Sequence, residues 1–233
     1  MDDYPRAPFL TTEEAHLDLQ CWVIISSKTL SRVASVLGKD ADHEHYHKLA
    51  GQYRHSLEKN FWDPERQMYD DFYIDESGKK QFEGHTGYLN FWPLFLGEIR
   101  THEERFEITY QKLIAEESGM LTPYGVRSLS INDGYYRLGD NYWTSPIWMN
   151  INYLILGSLH RYSQDTNINE ALRSSIKSTY EQLRAGVIDM ISSQYAETGF
   201  IWEVYDDQTG RGIDNHPFTG WSALYTNLLS EMY

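Results

Sequence analysis

Residues 11–37 read TTEEAHLDLQCWVIISSKTLSRVASVL, an acidic opening that runs into apolar residues at helical spacing. Thr11 to Glu14 has the form of a capping box, in which a hydroxyl and a carboxylate three residues apart satisfy backbone N–H groups left open at a helix start. Leu17, Cys21, Ile24, Ile25, Val33, Val36 and Leu37 follow at near-helical intervals. The pattern predicts a helix over about 13–37. By the same rules, further helices are expected over about 41–61, 88–99, 103–117, 146–162, 169–192 and 219–231. The segment at 88–99 is broken by Pro93, and the one at 146–162 opens on Ser145-Pro146, a cap residue followed by a proline in the first turn. Seven helices joined by polar loops make an all-α protein. No linker or repeat divides the chain, so 1–233 is read as part of one domain.

Composition narrows the chemistry. The 233 residues include 18 Tyr, 9 Phe and 7 Trp, many of them beside glycines and acids rather than in apolar runs. The net charge of −14 repels polyanions, so nucleic acid and anionic membrane surfaces are poor partners. No apolar run reaches the roughly 18 residues that span a bilayer, and the start of the chain lacks the basic and apolar regions of a signal peptide. Cys21 is the only cysteine, which rules out a disulfide within the chain.

The stretch from Gly199 to Tyr225, which leads into the last predicted helix, reads GFIWEVYDDQTGRGIDNHPFTGWSALY. A carboxylate, Glu203, follows Trp202, and a Pro-Phe-Thr-Gly-Trp turn follows at 217–221. Aromatic faces pack on the C–H surfaces of sugar rings, and carboxylates handle hydroxyls and protons, so this is the composition of a sugar site. Such a carboxylate normally works with a second, for which the candidates are Asp2 and Asp3 at the other end of the chain. Those two also fit a solvated acidic terminus.

Five separated motifs carry a resemblance: Asp2-Asp3-Tyr4-Pro5-Arg6-Ala7, Glu14-Ala15-His16-Leu17-Asp18-Leu19-Gln20-Cys21-Trp22, Tyr124-Gly125-Val126-Arg127-Ser128-Leu129, Asn141-Tyr142-Trp143 with Pro146-Ile147-Trp148, and Trp202-Glu203 with Pro217-Phe218-Thr219-Gly220-Trp221. In this order they resemble glycoside hydrolase family 63, and within it the eukaryotic N-glycan-processing branch. The resemblance implies an (α/α)6 toroid of twelve helices, of which seven would make this chain an incomplete, C-terminal portion. It also implies inverting hydrolysis of the terminal α-1,2-linked glucose of the triglucosylated N-glycan precursor in the endoplasmic reticulum lumen. The parent would be a type II membrane protein with its anchor ahead of this segment. No membrane contact is expected of the segment itself.

The family pattern makes Glu203 the general base and Asp2 the general acid, with Asp3 a rival for the second role. Asp3, Glu14, Asp18, Trp22, Arg127, Trp143, Trp148, Trp202, Phe218 and Trp221 are implied in substrate binding. Glu14, Asp18 and Trp22 would share one helix face at intervals of four. Core packing competes as an explanation for each tryptophan, most of all for Trp148, and a structural ion pair competes for Arg127. The chain departs from the family at Thr144-Ser145, where Arg-Gly is common, and at Gln20, where an arginine is usual. His43, His45 and His47 alternate on a predicted helix, a solvated surface rather than a metal set, and no cofactor is implied. A carbohydrate-binding remnant without catalysis, or a related (α/α)6 glycosidase of other specificity, are the competing functional readings.

Overall fold

The first helix, α1, spans Leu17–Val36, three to four residues later than the capping pattern predicts. Thr11 Oγ1 instead accepts the nearby N–H of Glu13, a purely local turn, and Glu14–Ala15 pair as a short strand, β1, against Phe72 and Tyr73. The first open N–H of the helix, that of Leu17, goes to Asp71 Oδ1 at 2.6 Å. A carboxylate 54 positions away therefore caps α1 from outside, which no local motif could announce. The computed structural model describes residues 3–9 and 11–233, so Asp2 lies outside the described residues. Among them no helix is long and apolar enough to cross a membrane.

The chain divides into two compact units. One comprises Arg6–Gly84 and Leu89–Glu98. Its frame is α1 against α2 (Asp40–Asn60), turned at Gly38 with φ 66°. The buried stripe of α1 is Leu17, Cys21, Ile24, Ser27, Ser31 and Ala34. Its small residues let α2 approach closely, and Ser31 bonds across to His43. Val33, Val36 and Leu37, which belong to the apolar helical pattern, are 47%, 86% and 64% exposed. Their spacing was helical, but the facing surface is taken by Ser31 and Ala34. The unit also contains β2 (Trp62–Asp63), β3 (Met68–Tyr69), β4 (Phe72–Ile74) and β5 (Lys80–Phe82). β2 and β3 form a hairpin, and β1, β4 and β5 form an antiparallel sheet in that order. Pro93 shortens the predicted 88–99 helix to a 3₁₀ turn, Tyr88–Phe91, and one turn of α3, Trp92–Phe95.

Of the described residues, the other unit comprises 3–5, His85–Tyr88 and Ile99–Tyr233. It holds α4 (Glu104–Ile114), the hairpin β6 (Leu121–Thr122) and β7 (Gly125–Val126), α5 (Met149–Ser163) and α6 (Glu170–Thr198). The hairpin β8 (Val204–Tyr205) and β9 (Gly212–Ile213) and the short α7 (Tyr225–Leu229) complete it. α5 and α6 are the packed pair, burying Ile155, Leu156 and Leu159 on one and Ile176, Leu183, Val187 and Ile191 on the other. Each such side chain contributes roughly 1.5–3 kcal/mol. Asn169 Oδ1 caps α6 through the N–H of Leu172, and Gly199, at φ 75°, ends it. Ser145 does not cap α5 as expected; its hydroxyl goes to Asn141 Oδ1, and Ile147 bridges Tyr205, so Ile147 and Trp148 stay extended until α5 begins at Met149. Thr219 likewise caps nothing, and the chain enters a 3₁₀ turn at Trp221–Leu224 before α7.

Between these elements lies a buried polar node. Asn152 Oδ1 accepts the N–H of Val126 at 2.8 Å, and its Nδ2 lies within bonding distance of Val126 O, Trp148 O and the Tyr88 hydroxyl. The Tyr88 hydroxyl donates to Val126 O at 2.6 Å and accepts the N–H of Trp148. Replacing Asn152 by Leu keeps the branched shape, though not the volume, and strands several buried groups at roughly 1–3 kcal/mol each, so a loss of about 3 kcal/mol is expected in chemical denaturation. Gly186, inside α6, allows the Pro123 carbonyl to approach; a Cβ there would sit 2.1 Å from that oxygen. Gly186→Ala gains up to ~1 kcal/mol of helix propensity but meets fixed backbone at a cost of roughly 1–3 kcal/mol, so a lower Tm is the expected result.

Candidate active site around Glu203

After α6 ends at Gly199, the ring of Trp202 lies flat enough against Gly212 that a Cβ there would fall 2.1 Å from it. The Trp202 ring also lies close to that of His216, centroids 3.8 Å apart with the planes tilted by 35°. This turn delivers Glu203 into the start of the β8–β9 hairpin with 5% exposure. Its backbone is held from both sides. Its N–H goes to Asn215 O at 3.0 Å, and its carbonyl accepts Trp221 Nε1 at 2.8 Å and the Ser222 hydroxyl at 3.2 Å.

The carboxylate is held as firmly. Tyr142 donates its hydroxyl to Oε1 at 2.6 Å, and Asn215 donates Nδ2 to Oε2. A buried carboxylate needs such donors, because an isolated charge away from water is costly. The charge is felt nearby: burial, then the field of Glu203, raises the Asp214 carboxyl above its usual range.

Tyr142 belongs to a loop with several ties. Asp3 accepts the N–H groups of Tyr142 at 2.8 Å and Trp143 at 2.6 Å, and Trp148 Nε1 donates to the Tyr142 carbonyl at 2.8 Å. Trp143 stacks on Trp148 with planes 3° apart and centroids 3.7 Å apart. Trp148 is 1% exposed and also meets Tyr142 and Trp221, and Phe218 meets Trp221 at 4.7 Å. Thr144 and Ser145, at the departure from the family pattern, are both buried. Their hydroxyls close the loop onto Leu138 O and Asn141 Oδ1.

A second polar cluster flanks the hairpin. Asp207, 1% exposed, accepts the Tyr136 hydroxyl at 2.7 Å and Arg137 Nη2 at 2.7 Å, and Arg127 Nη1 stands 3.2 Å from its Oδ2. Arg127 thus has the ion pair that competed with a ligand role. That contact is one of charge: among the described residues neither Nε nor Nη1 of Arg127 has a hydrogen-bond partner. Burial is the first influence on Asp206, and hydrogen bonds from Thr209 and Arg137 outweigh it, holding the carboxyl low.

Glu14, Asp18 and Trp22 belong to the unit built on α1. Glu14 sits in β1, not in the helix, so it does not continue the face that Asp18 and Trp22 share. It accepts the N–H of Ala7 and contacts His16 Nε2 at 3.0 Å. Asp18 pairs with Arg6 at 3.0 Å, and Arg6 also pairs with Asp71. Trp22 is 43% exposed and edge-on to Trp92. Among the described residues no group of three or more His, Cys, Asp or Glu side chains is arranged to hold a metal.

Tyr142, Asn215, Ser222 and Asp207 escaped the reading of sequence as parts of this site. Tyr142 stood inside a recognised motif, but its hydroxyl acts across 61 positions; Asn215 carried no signal beyond its place in the loop.

Residues 1–231 match the family model described as glycosyl hydrolase family 63 C-terminal domain. The chain is 41% identical to a probable mannosyl-oligosaccharide glucosidase of Schizosaccharomyces pombe, covering 100% of this chain and 28% of that protein. It is 32% identical to a mannosyl-oligosaccharide glucosidase of Arabidopsis thaliana, covering 100% and 31%. The chain therefore spans about a third or less of the length of these relatives. Among solved structures, a family 63 mannosylglycerate hydrolase from Thermus thermophilus bound to glucose superposes with TM-score 0.67 at 21% identity, over 93% of this chain and 45% of that one. That likeness gives the fold, in which the seven helices are part of an (α/α)6 toroid. The match runs almost from end to end, and the chain belongs to glycosyl hydrolase family 63, whose C-terminal domain it carries.

Proposed function

We propose that the protein is an inverting α-glucosidase that removes the terminal α-1,2-linked glucose from the triglucosylated N-glycan precursor, acting in the endoplasmic reticulum lumen. Residues 1–233 are then the C-terminal portion of one (α/α)6 catalytic domain. The observation that carries the reading is Glu203: a buried carboxylate with both oxygens oriented by hydrogen bonds, set among Trp202, Trp221 and Tyr142. The names of the relatives support the substrate class.

In this mechanism Glu203 takes a proton from a water molecule as that water attacks the anomeric carbon. Asp2 protonates the departing glycosidic oxygen on the other ring face. Inverting enzymes hold the two carboxyl groups about 6.5–9.5 Å apart, leaving room for the water. Inversion at an α-linkage releases β-glucose. Trp143, Trp202, Phe218 and Trp221 supply aromatic surface for the sugar, and buried Trp148 supports Trp143 from behind. Glu14, Asp18, Trp22 and Arg127 keep the substrate-binding roles that family membership suggests.

One observation favours a second reading, a carbohydrate-binding protein without turnover. Thr144 and Ser145 turn their hydroxyls into the loop where related chains commonly offer an arginine, so that loop presents fewer donors to a ligand.

The test uses the full-length gene product and a triglucosylated oligosaccharide. β-Glucose is expected as the first product by NMR, and α-glucose overturns the inverting mechanism. Glu203→Gln is expected to lower kcat by about 10²–10⁴-fold with little change in KM, the range for loss of a general base. Binding of the glycan by calorimetry with no glucose release from the wild type would favour the second reading.

A further inference from the structure

We propose that Asp3 is a positioning residue for Glu203 and acts on it through Tyr142. The inference rests on the reading of Glu203 as general base and extends it to a residue that family resemblance places among the substrate contacts or as a rival for the acid.

The geometry is a relay of four groups. The Asp3 carboxylate accepts two consecutive backbone N–H groups, Tyr142 at 2.8 Å through Oδ2 and Trp143 at 2.6 Å through Oδ1. Two donors on one carboxylate fix the orientation of that backbone as well as its position. Trp148 Nε1 grips the Tyr142 carbonyl at 2.8 Å, and the Trp148 ring meets the tyrosine ring edge-on at 4.6 Å. Tyr142 is thereby held at its N–H, its carbonyl and its ring, and its hydroxyl ends on Glu203 Oε1 at 2.6 Å.

A general base needs this kind of support. It must offer one lone pair to a water within about 2.6–3.2 Å, and a misplacement near 1 Å can cost about 10²-fold in rate. Asn215 on Oε2 restrains one side of the carboxylate, and Tyr142 sets the other. Each oxygen of Asp3 is engaged by a backbone N–H, which suits an anchor better than a sugar contact. Asp3 also follows Asp2 directly in sequence, so adjacent residues supply the proposed acid and orient the proposed base.

A double-mutant cycle tests the relay in the full-length gene product, with kcat and KM measured for wild type, Asp3→Asn, Tyr142→Phe and the double variant on a triglucosylated oligosaccharide. Asp3→Asn keeps the size but turns an NH₂ toward one of the two N–H donors. Each single change is expected to lower kcat by about 10–100-fold with KM within about threefold, and the double variant should match the weaker single within about twofold. Thermal melts normalise each rate to folded protein, and Asp3→Ser, which keeps one acceptor, takes the place of Asp3→Asn if that variant does not fold. Effects that multiply in the double variant overturn the relay, as does a rise in KM alone, the mark of a direct sugar contact. A wild type that binds glycan without hydrolysing it removes the base reading, and the role of Asp3 falls with it. An active wild type with multiplying effects removes the relay only.

Discussion

The side-chain amide of Asn152 takes the place of a neighbouring strand for Val126, and the unit that contains Glu203 is arranged around it. The amide meets both the N–H and the carbonyl of Val126 and reaches back to the carbonyl of Trp148, four residues earlier in the start of α5. Tyr88 joins the same point from a different part of the chain. A hairpin of two-residue strands has little stability by itself, and here the missing ladder bonds come from a helix. The cost of leaving any of these groups unpaired in the interior holds 88, 126, 148 and 152 in one arrangement. Trp148 then fixes the loop of Tyr142, which reaches Glu203.

The same device recurs with carboxylates. Asp71 closes the N-terminus of α1 from a distant strand edge, and Asp3 closes a loop by accepting two successive N–H groups. Both side chains substitute for absent secondary structure. Here charged acceptors tie irregular backbone to the helical frame. Glu203 differs because the donors to its carboxylate are side chains, a phenol and an amide, rather than backbone N–H groups.

Helices with strong periodicity were legible. α2 departs from expectation by about one residue at either end, and α6 runs about one and a half turns further because no proline or glycine lies between the predicted end at 192 and Gly199. Signals that rely on caps failed. Thr11, Ser145 and Thr219 each had the right residue type at a plausible helix start, yet none caps. Hydroxyls bond to whichever nearby group suits them, and a strand pairing beyond Thr11 and an extended bridge beyond Ser145 occupy the residues that a helix would have used. Of the candidate site, Glu203 and its tryptophans could be picked out by residue type and motif. Tyr142 and Asn215 could not, because a hydrogen bond between residues far apart in sequence leaves no periodic trace.

The amino-acid sequence by itself determined the helical class, the family and the carboxylates worth attention, because periodicity and motif spacing are written in adjacent residues. Tertiary structure alone decided where α1 begins, which of its apolar residues face outward, and which groups hold Glu203. Those outcomes depend on whether a donor from one segment finds its acceptor in another, and such pairs exist only once the chain has folded.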